Sequence, residues 1–203
     1  MKVVYQEAFC QCYADDAAAV EGRVESILTA IGNRFKFIQP EPASEEQILM
    51  VHTPEMIERA QRKGLFSIAA LAAGGAIKAA RIGLTEPAFA LIRPPGHHAS
   101  RDIAWGYCYF NNMAIALTAL KKEGAVQTAL VLDIDLHFGD GTVNILGEKP
   151  WATVVNPNKE GTRESYLDEV AQTLSNTEVD IIGVSAGFDL HLPFITLISE
   201  QYS

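Results

Sequence analysis

Along this chain the spacing of hydrophobic positions changes repeatedly, and the changes mark strands and helices in alternation. Val3–Tyr5 is a short apolar run with the character of a strand. Across Ala14–Ile31, Val20, Val24, Ile27, Leu28 and Ile31 share one face at helical spacing, which predicts an amphipathic helix. Phe35–Ile38 reads as a second strand, closed by Pro40 and Pro42. Ser44-Glu45-Glu46-Gln47 has capping-box spacing ahead of Ile48 and Leu49, and Thr53-Pro54 is a helix start with proline at the first helical position.

Leu65–Arg81 is a helix of small residues, whose Gly74-Gly75 pair would cost stability unless another backbone packs closely there. Pro87–Ile92 is a strand, and Asn111–Glu123 a helix ended by Gly124. Thr128–Asp135 is almost wholly apolar, as expected of a strand buried on both faces of a parallel sheet. Ala152–Val155 and Val179–Ser185 repeat that pattern, with helix Ser165–Leu174 between them. The alternation predicts an α/β fold, a parallel sheet covered by helices on both sides. No repeat, linker or low-complexity segment marks a second domain, so the 203 residues read as one domain able to bury a substantial core.

Composition narrows the function classes. A net charge of −9 and a pI near 5.0 argue against a nucleic-acid partner, which needs a basic face. No continuous apolar run reaches the roughly 18 residues of a membrane span. The first residues, MKVVYQEAF, carry one lysine and then a strand-like stretch rather than a signal peptide. Cys10, Cys12 and Cys108 cannot all pair with one another and fit a reducing, cytoplasmic location. Cys10 and Cys12 lack zinc-knuckle spacing and read as structural.

In such sheets ligands bind at the carboxyl ends of the strands, where almost every unusual polar residue of this chain falls. Asp133, Asp135 and His137 close the most apolar strand. Period-two alternation puts them on one face, and a carboxylate and an imidazole two residues apart can grip one divalent ion. A helix cap is the plainer reading of Asp140, ahead of Gly141 and Thr142, but three such groups on one face make capping alone the weaker account. Asp189, after Val179–Gly187, would complete an oxygen–nitrogen–oxygen set with a position open for water, although one aspartate after a strand is ordinary by itself. His97 and His98 sit in a rigid Pro94-Pro95-Gly96 turn, and packing explains such a pair poorly because a buried imidazole needs a partner on each nitrogen. Paired with Asp133 and Asp140 they suit general acid–base work near neutral pH. Trp105 to Asn112 reads mainly as core packing with an asparagine helix cap, while Gly106 and Tyr107 could wall a narrow tunnel for an alkyl chain. His52 reads as a structural hydrogen bond, and His191 ranks behind the other metal candidates.

Taken together and in this order, IRPPGHHA, WGYCYFNN, LDIDLHFGDGT and SAGFD resemble the histone deacetylase superfamily, which includes acetylpolyamine amidohydrolases. VHTPEMIERA and LAAGGAIKAA are similar too. The resemblance implies the three-layer arginase–deacetylase type of α/β fold with a mainly parallel sheet. It also implies a zinc-dependent hydrolase, cytoplasmic, that removes acetyl groups from acetylpolyamines, acetyl-lysine or another small acyl-amide. By the same resemblance Asp135, His137 and Asp189 are the metal ligands, for Zn2+ or another divalent ion such as Fe2+ or Co2+. His97 and His98 are the paired histidines, backed by Asp133 and Asp140 respectively, and Gly106 and Tyr107 form the acyl-tunnel wall. Backbone carbonyls near Asp133, Asp135 and His137 would hold a structural K+. His98 is then the general base and His97 an electrostatic or acidic helper. The partner implied is a small acetylated amine or acetyl-lysine, with no nucleic acid and no membrane, and with a homo-oligomer left open.

The sequence departs from the family downstream of Asp189. The family's oxyanion donor is a tyrosine after a glycine-rich strand, and the fourteen residues from Leu190 to Ser203 hold no such motif. Losing one such donor costs about 10²–10³ in rate. The expectation is therefore a single deacetylase-like domain over 1–203 that lacks its C-terminal strands, with an atypical apolar tail at 190–203. A gap or exposed edges between the earlier and later strands would follow. Phe138 stands where many relatives carry a further histidine, and Val155 where they place a hydroxyl that helps hold the monovalent cation. Two other readings stand beside the hydrolase. One is a catalytically impaired homologue that keeps metal or partner binding. The other, ranked last, is an arginase-like dinuclear manganese enzyme, which wants an acidic residue where Gly139 stands.

Overall fold

The computed structural model describes residues 1–14 and 19–187. Six strands and seven α-helices alternate through these residues. In chain order they are β1 (Lys2–Val4), α1 (Arg23–Ile31), β2 (Lys36–Ile38), α2 (Glu45–Leu49), α3 (Pro54–Arg62), α4 (Phe66–Gly83) and β3 (Ala88–Ala90). There follow α5 (Asn112–Lys122), β4 (Ala129–Asp133), α6 (Asp140–Leu146), β5 (Ala152–Val155), α7 (Arg163–Asn176) and β6 (Ile181–Ser185). All strand pairings are parallel, and they form two three-stranded sheets, β2-β1-β3 and β5-β4-β6. The division falls between the earlier and the later strands, and among the described residues no strand pairing joins the two sheets.

The layers follow from side-chain alternation. Val3 and Leu91 point to one side of the first sheet, where Val24, Ile27, Leu28 and Ile31 of α1 cover them. On the other side α4 packs against β1 and β3 and lies along α5. The main core gathers α3, α4 and α5 with Ala129, Val131 and Ile181 of the second sheet. β4 is buried along its whole length, as its unbroken apolar run predicts. α4 is long and apolar enough to cross a membrane by length and composition, but half of it is buried inside the molecule.

Several local expectations hold at the level of single bonds. The Ser44 hydroxyl accepts from Gln47 N–H (3.2 Å), and Ser44 N–H donates back to Gln47 Oε1 (2.9 Å). Gly74 lies against the Glu41–Ala43 backbone, where a Cβ would collide with the Glu41 carbonyl and come within 2.7 Å of Ala43 N. Gly74 therefore serves a close backbone approach, fixed by the Ala43 N–H bond to Ala70 O (2.8 Å), whereas a Cβ at Gly75 would meet the Ile92 side chain. The first helix differs from expectation. It begins at Arg23 rather than Ala14, because Gly22 at φ +91° takes the left-handed conformation and breaks the helical path. Residues 15–18 of the expected helix lie outside the described residues, and Val20 is exposed rather than on the apolar face.

Candidate functional site

The turn after β3 carries the paired histidines, and buried polar residues fix it from below. Arg93 is buried, and its guanidinium donates to the carbonyls of Cys10 (2.7 Å), Gln11 (3.0 Å) and Val20 (2.8 Å), and also to that of Phe9. A buried cation is tolerated here because carbonyl dipoles replace its water. Asn112 Nδ2 donates to Pro94 O (3.0 Å). Asn111 caps α5 by accepting from Ala114 N–H (2.9 Å), and its amide donates to Ala99 O (3.0 Å) and Thr142 Oγ1 (3.1 Å). Thr142 N–H in turn donates to His97 O (3.0 Å). His52 completes the underside. Its Nε2 accepts from Asn111 N–H (2.8 Å) and its Nδ1 faces Arg101 O (3.3 Å). Burial pushes its pKa down to about 4, so the ring stays neutral and can accept that bond. Its role is the structural one expected from the sequence.

Both histidines are buried, with ring centroids 4.0 Å apart. An ionised carboxylate only accepts, so each facing Nδ1 carries the proton. His97 Nδ1 thus donates to Asp133 Oδ2 (3.1 Å) and His98 Nδ1 to Asp140 Oδ1 (2.6 Å). Burial lowers the His98 pKa, against the opposing pull of Asp140. Burial alone would raise the Asp140 pKa, but bonds from His98 and Trp105 outweigh it and leave the carboxyl below its usual value. Helix capping is therefore not the role of Asp140. It is the first residue of α6, Gly139 holds the N-cap position, and the Asp140 side chain turns to the two rings. Gly139 gives Asp133 its room, since a Cβ there would collide with Asp133 Oδ2.

Asp135 and His137 come together by a different route from the one alternation predicts. β4 ends at Asp133, and the chain then bends. Asp133 Oδ1 accepts from Asp135 N–H (3.1 Å), and Asp135 Oδ1 accepts from His137 N–H (2.9 Å), so each acidic side chain turns the backbone for the next residue. His137 Nδ1 lies 3.4 Å and His97 Nε2 3.9 Å from Asp135 Oδ1. Asp135 and His137 fit a divalent ion by donor type and mutual reach. Among the described residues, however, no group of three His, Cys, Asp or Glu side chains is placed to hold one. Asp189 and His191 lie outside the described residues. Of the carbonyls expected to hold a monovalent cation, that of His137 faces Lys159 Nζ (3.5 Å).

The aromatic segment divides. Cys108, Phe110, Asn111 and Asn112 are buried, as the packing reading holds. Cys108 Sγ accepts from His98 N–H (3.4 Å), and burial pushes its thiol up to about 12, so it acts as packing and acceptor rather than as a nucleophile. Gly106 lies against His98, where a Cβ would come within 2.5 Å of Cδ2, and the neighbouring Tyr107 is exposed with φ at +61°. Trp105 is the exception to the packing reading of most of this segment, being 54% exposed and stacked on His98. Arg93, Thr142 and Trp105 are contributors that sequence reasoning missed. A polar or aromatic residue flanking a motif carries no periodic signal of its partner.

Comparison with known proteins places these features together. The sequence model of the histone deacetylase domain matches residues 60–166. A "Probable deacetylase" of Archaeoglobus fulgidus is 43% identical over 151 residues, covering 66% of this chain and 40% of that protein. Another "Probable deacetylase", from Methanothermobacter thermautotrophicus, is 40% identical over 144 residues, 61% of this chain and 44% of its own length. Polyamine deacetylase HDAC10 of Mus musculus is 31% identical over 181 residues, 75% of this chain and 26% of its own length. The chain thus spans less than half the length of these relatives. The crystal structure of the HDA15 HD domain superposes with a TM-score of 0.80 at 21% identity, covering 93% of this chain and 72% of the other. At that identity the likeness shows the fold, the arginase–deacetylase architecture expected from the sequence.

Proposed function

The chain belongs to the histone deacetylase domain family, and from that membership we propose that its strand-end site is built for zinc-dependent removal of acetyl groups from amines such as acetylpolyamines or acetyl-lysine. The observation that carries this reading is the pair of couples, Asp133–His97 and Asp140–His98, side by side at the carboxyl end of the sheets. Asp135, His137 and Asp189 would hold the zinc, which when bound supplies polarisation of the acetyl carbonyl and acidifies a water toward a pKa of about 7. With Nδ1 committed to Asp140, His98 presents Nε2 as the basic nitrogen, and its lowered pKa keeps the ring neutral and ready to accept a proton from the attacking water. His97, oriented by the buried Asp133 carboxylate, stabilises developing charge, and the proton that His98 Nε2 takes from the water passes on to the departing amine. Gly106 and Tyr107 flank the path of the acyl chain.

A second reading is a homologue that is catalytically impaired and keeps metal or partner binding. In this reading the assembled couples Asp133–His97 and Asp140–His98 serve to shape the site rather than to turn over substrate. Elemental analysis of the purified chain, beside Asp135→Asn, and turnover of an acetylated polyamine, beside His98→Ala, separate the two. One zinc per chain, lost in Asp135→Asn, with turnover that falls about 10²–10⁴-fold in His98→Ala, makes it a hydrolase. Zinc without turnover makes it the impaired homologue. A chain that takes up no zinc overturns the metal-dependent reading.

A further inference from the structure

We infer that Trp105 is a positioning residue for His98, fixing the imidazole and its carboxylate partner as one unit. The inference rests on the reading of His98 as the base of the site. The indole stacks on the imidazole with centroids 3.7 Å apart and planes 27° from parallel. Its Nε1–H donates to Asp140 Oδ2 (2.9 Å), while the other oxygen of the same carboxylate accepts from His98 Nδ1 (2.6 Å). One carboxylate therefore binds two rings, one at each oxygen, and those rings lie against each other. The three side chains form a closed cluster in which each touches both others.

The contrast with His97 shows why such a device is useful at His98. The partner of His97, Asp133, is wholly buried, and its second oxygen is held by the backbone N–H of Asp135. The partner of His98 is less protected. The Asp140 side chain is 36% exposed, so water competes for its second oxygen and for its orientation. Trp105 supplies there the second donor that the backbone supplies at Asp133. Two motions are suppressed as a result. One is the swing of the carboxylate, and the other is a flip of the imidazole that would exchange Nδ1 for Cδ2 and turn the basic nitrogen away. Gly106 supports the arrangement by letting the loop lie directly on His98. An indole 54% exposed contributes little to the core, so its orientation is better explained by these two contacts than by packing.

The test uses the full chain, wild type against Trp105→Phe, which keeps a stacked ring without the N–H, and Trp105→Ala, which removes both. Long-range proton–nitrogen NMR of the histidine rings reports which nitrogen of His98 carries the proton. Trp151→Phe identifies the indole signals, since the chain has two tryptophans. The wild type is expected to show His98 as a single Nδ1–H tautomer, with mixing in Trp105→Phe and more in Trp105→Ala. In zinc-loaded chain, kcat is expected to fall by roughly 10-fold and 100-fold in turn, as for other outer partners of a reacting group, with KM unchanged. Identical His98 signals in all three proteins overturn the inference. So does a rise in KM alone, which would make Trp105 a substrate contact. A wild type without turnover overturns the hydrolase reading and not this one, because the ring signals need no substrate. Should Trp105→Ala fail to fold, Trp105→Phe carries the test.

Discussion

The two sides of the paired histidines are built on opposite terms. On the inner side, His52, Asn111, Asp133 and Thr142 are almost completely buried and joined by directional bonds, from the loop before α3 through the cap of α5 to the first turn of α6. On the outer side, Trp105, His137 and Phe138 stand more than half in solvent. The inner side therefore couples the site to folding. A change there leaves a buried polar group without its partner, which costs about 1–3 kcal/mol for each group. The outer side has little such coupling, so residues there can vary without threatening the fold. Stability is concentrated beneath the histidines, and adjustment of reactivity above them.

The sharpest way to break this contrast is Gly139→Ala. The added Cβ would meet Asp133 Oδ2 and must displace a buried carboxylate whose two oxygens are held by His97 and by Asp135 N–H. A loss of about 3 kcal/mol in urea denaturation is expected, and a loss below about 1 kcal/mol would show the inner side to be more yielding than described. The next test uses pH. His52 has its pKa depressed to about 4 in the folded chain, against an ordinary histidine value of 6.5. Below 6.5 the unfolded chain takes up a proton that the folded chain refuses. Stability should therefore fall as pH drops from 6.5 to 4 and level off below, by about 3 kcal/mol in all. In His52→Gln that part of the slope should vanish from denaturation curves taken across the range. The smallest effect is expected outside. Phe138→Ser should change stability by no more than about 0.5 kcal/mol, and a larger loss would mean that the outer side shares in the fold.

What could be read from the chain beforehand follows the same line. Where one physical cause dominates, sequence is informative. The apolar run of β4, the Ser44–Gln47 cap and the close approach at Gly74 each leave an unambiguous local signature. That Asp133 and Asp140 face the two histidines was also legible, because adjacent histidines demand carboxylates and the next strand's end supplies them, while which carboxylate backs which ring is what the family resemblance implies. What failed depended on competition between local rules. The helix expected from Ala14 had good periodicity, but Gly22 stops it short. Alternation placed Asp135 and His137 on an extended strand, whereas side-chain bonds to the backbone end the strand at Asp133 and pair them through a bend. The packing reading of most of residues 105–112 does not extend to Trp105, since hydrophobicity alone cannot tell an indole held at the surface from one in the core. Its N–H and its ring face answered to Asp140 and His98, which lie up to 35 positions away.

One consequence of the buried Arg93 concerns the order in which the molecule assembles. Its bonds reach carbonyls 73 to 84 positions earlier in the chain. Closing a loop of that size carries a large entropic penalty before any contact offsets it, and such non-local pairings form late. The histidine turn cannot take its final shape until the carbonyls of Phe9, Cys10, Gln11 and Val20 have met the guanidinium. During synthesis those residues emerge well ahead of Arg93 and wait for it, so they are fixed late, and the site is one of the closing events of folding.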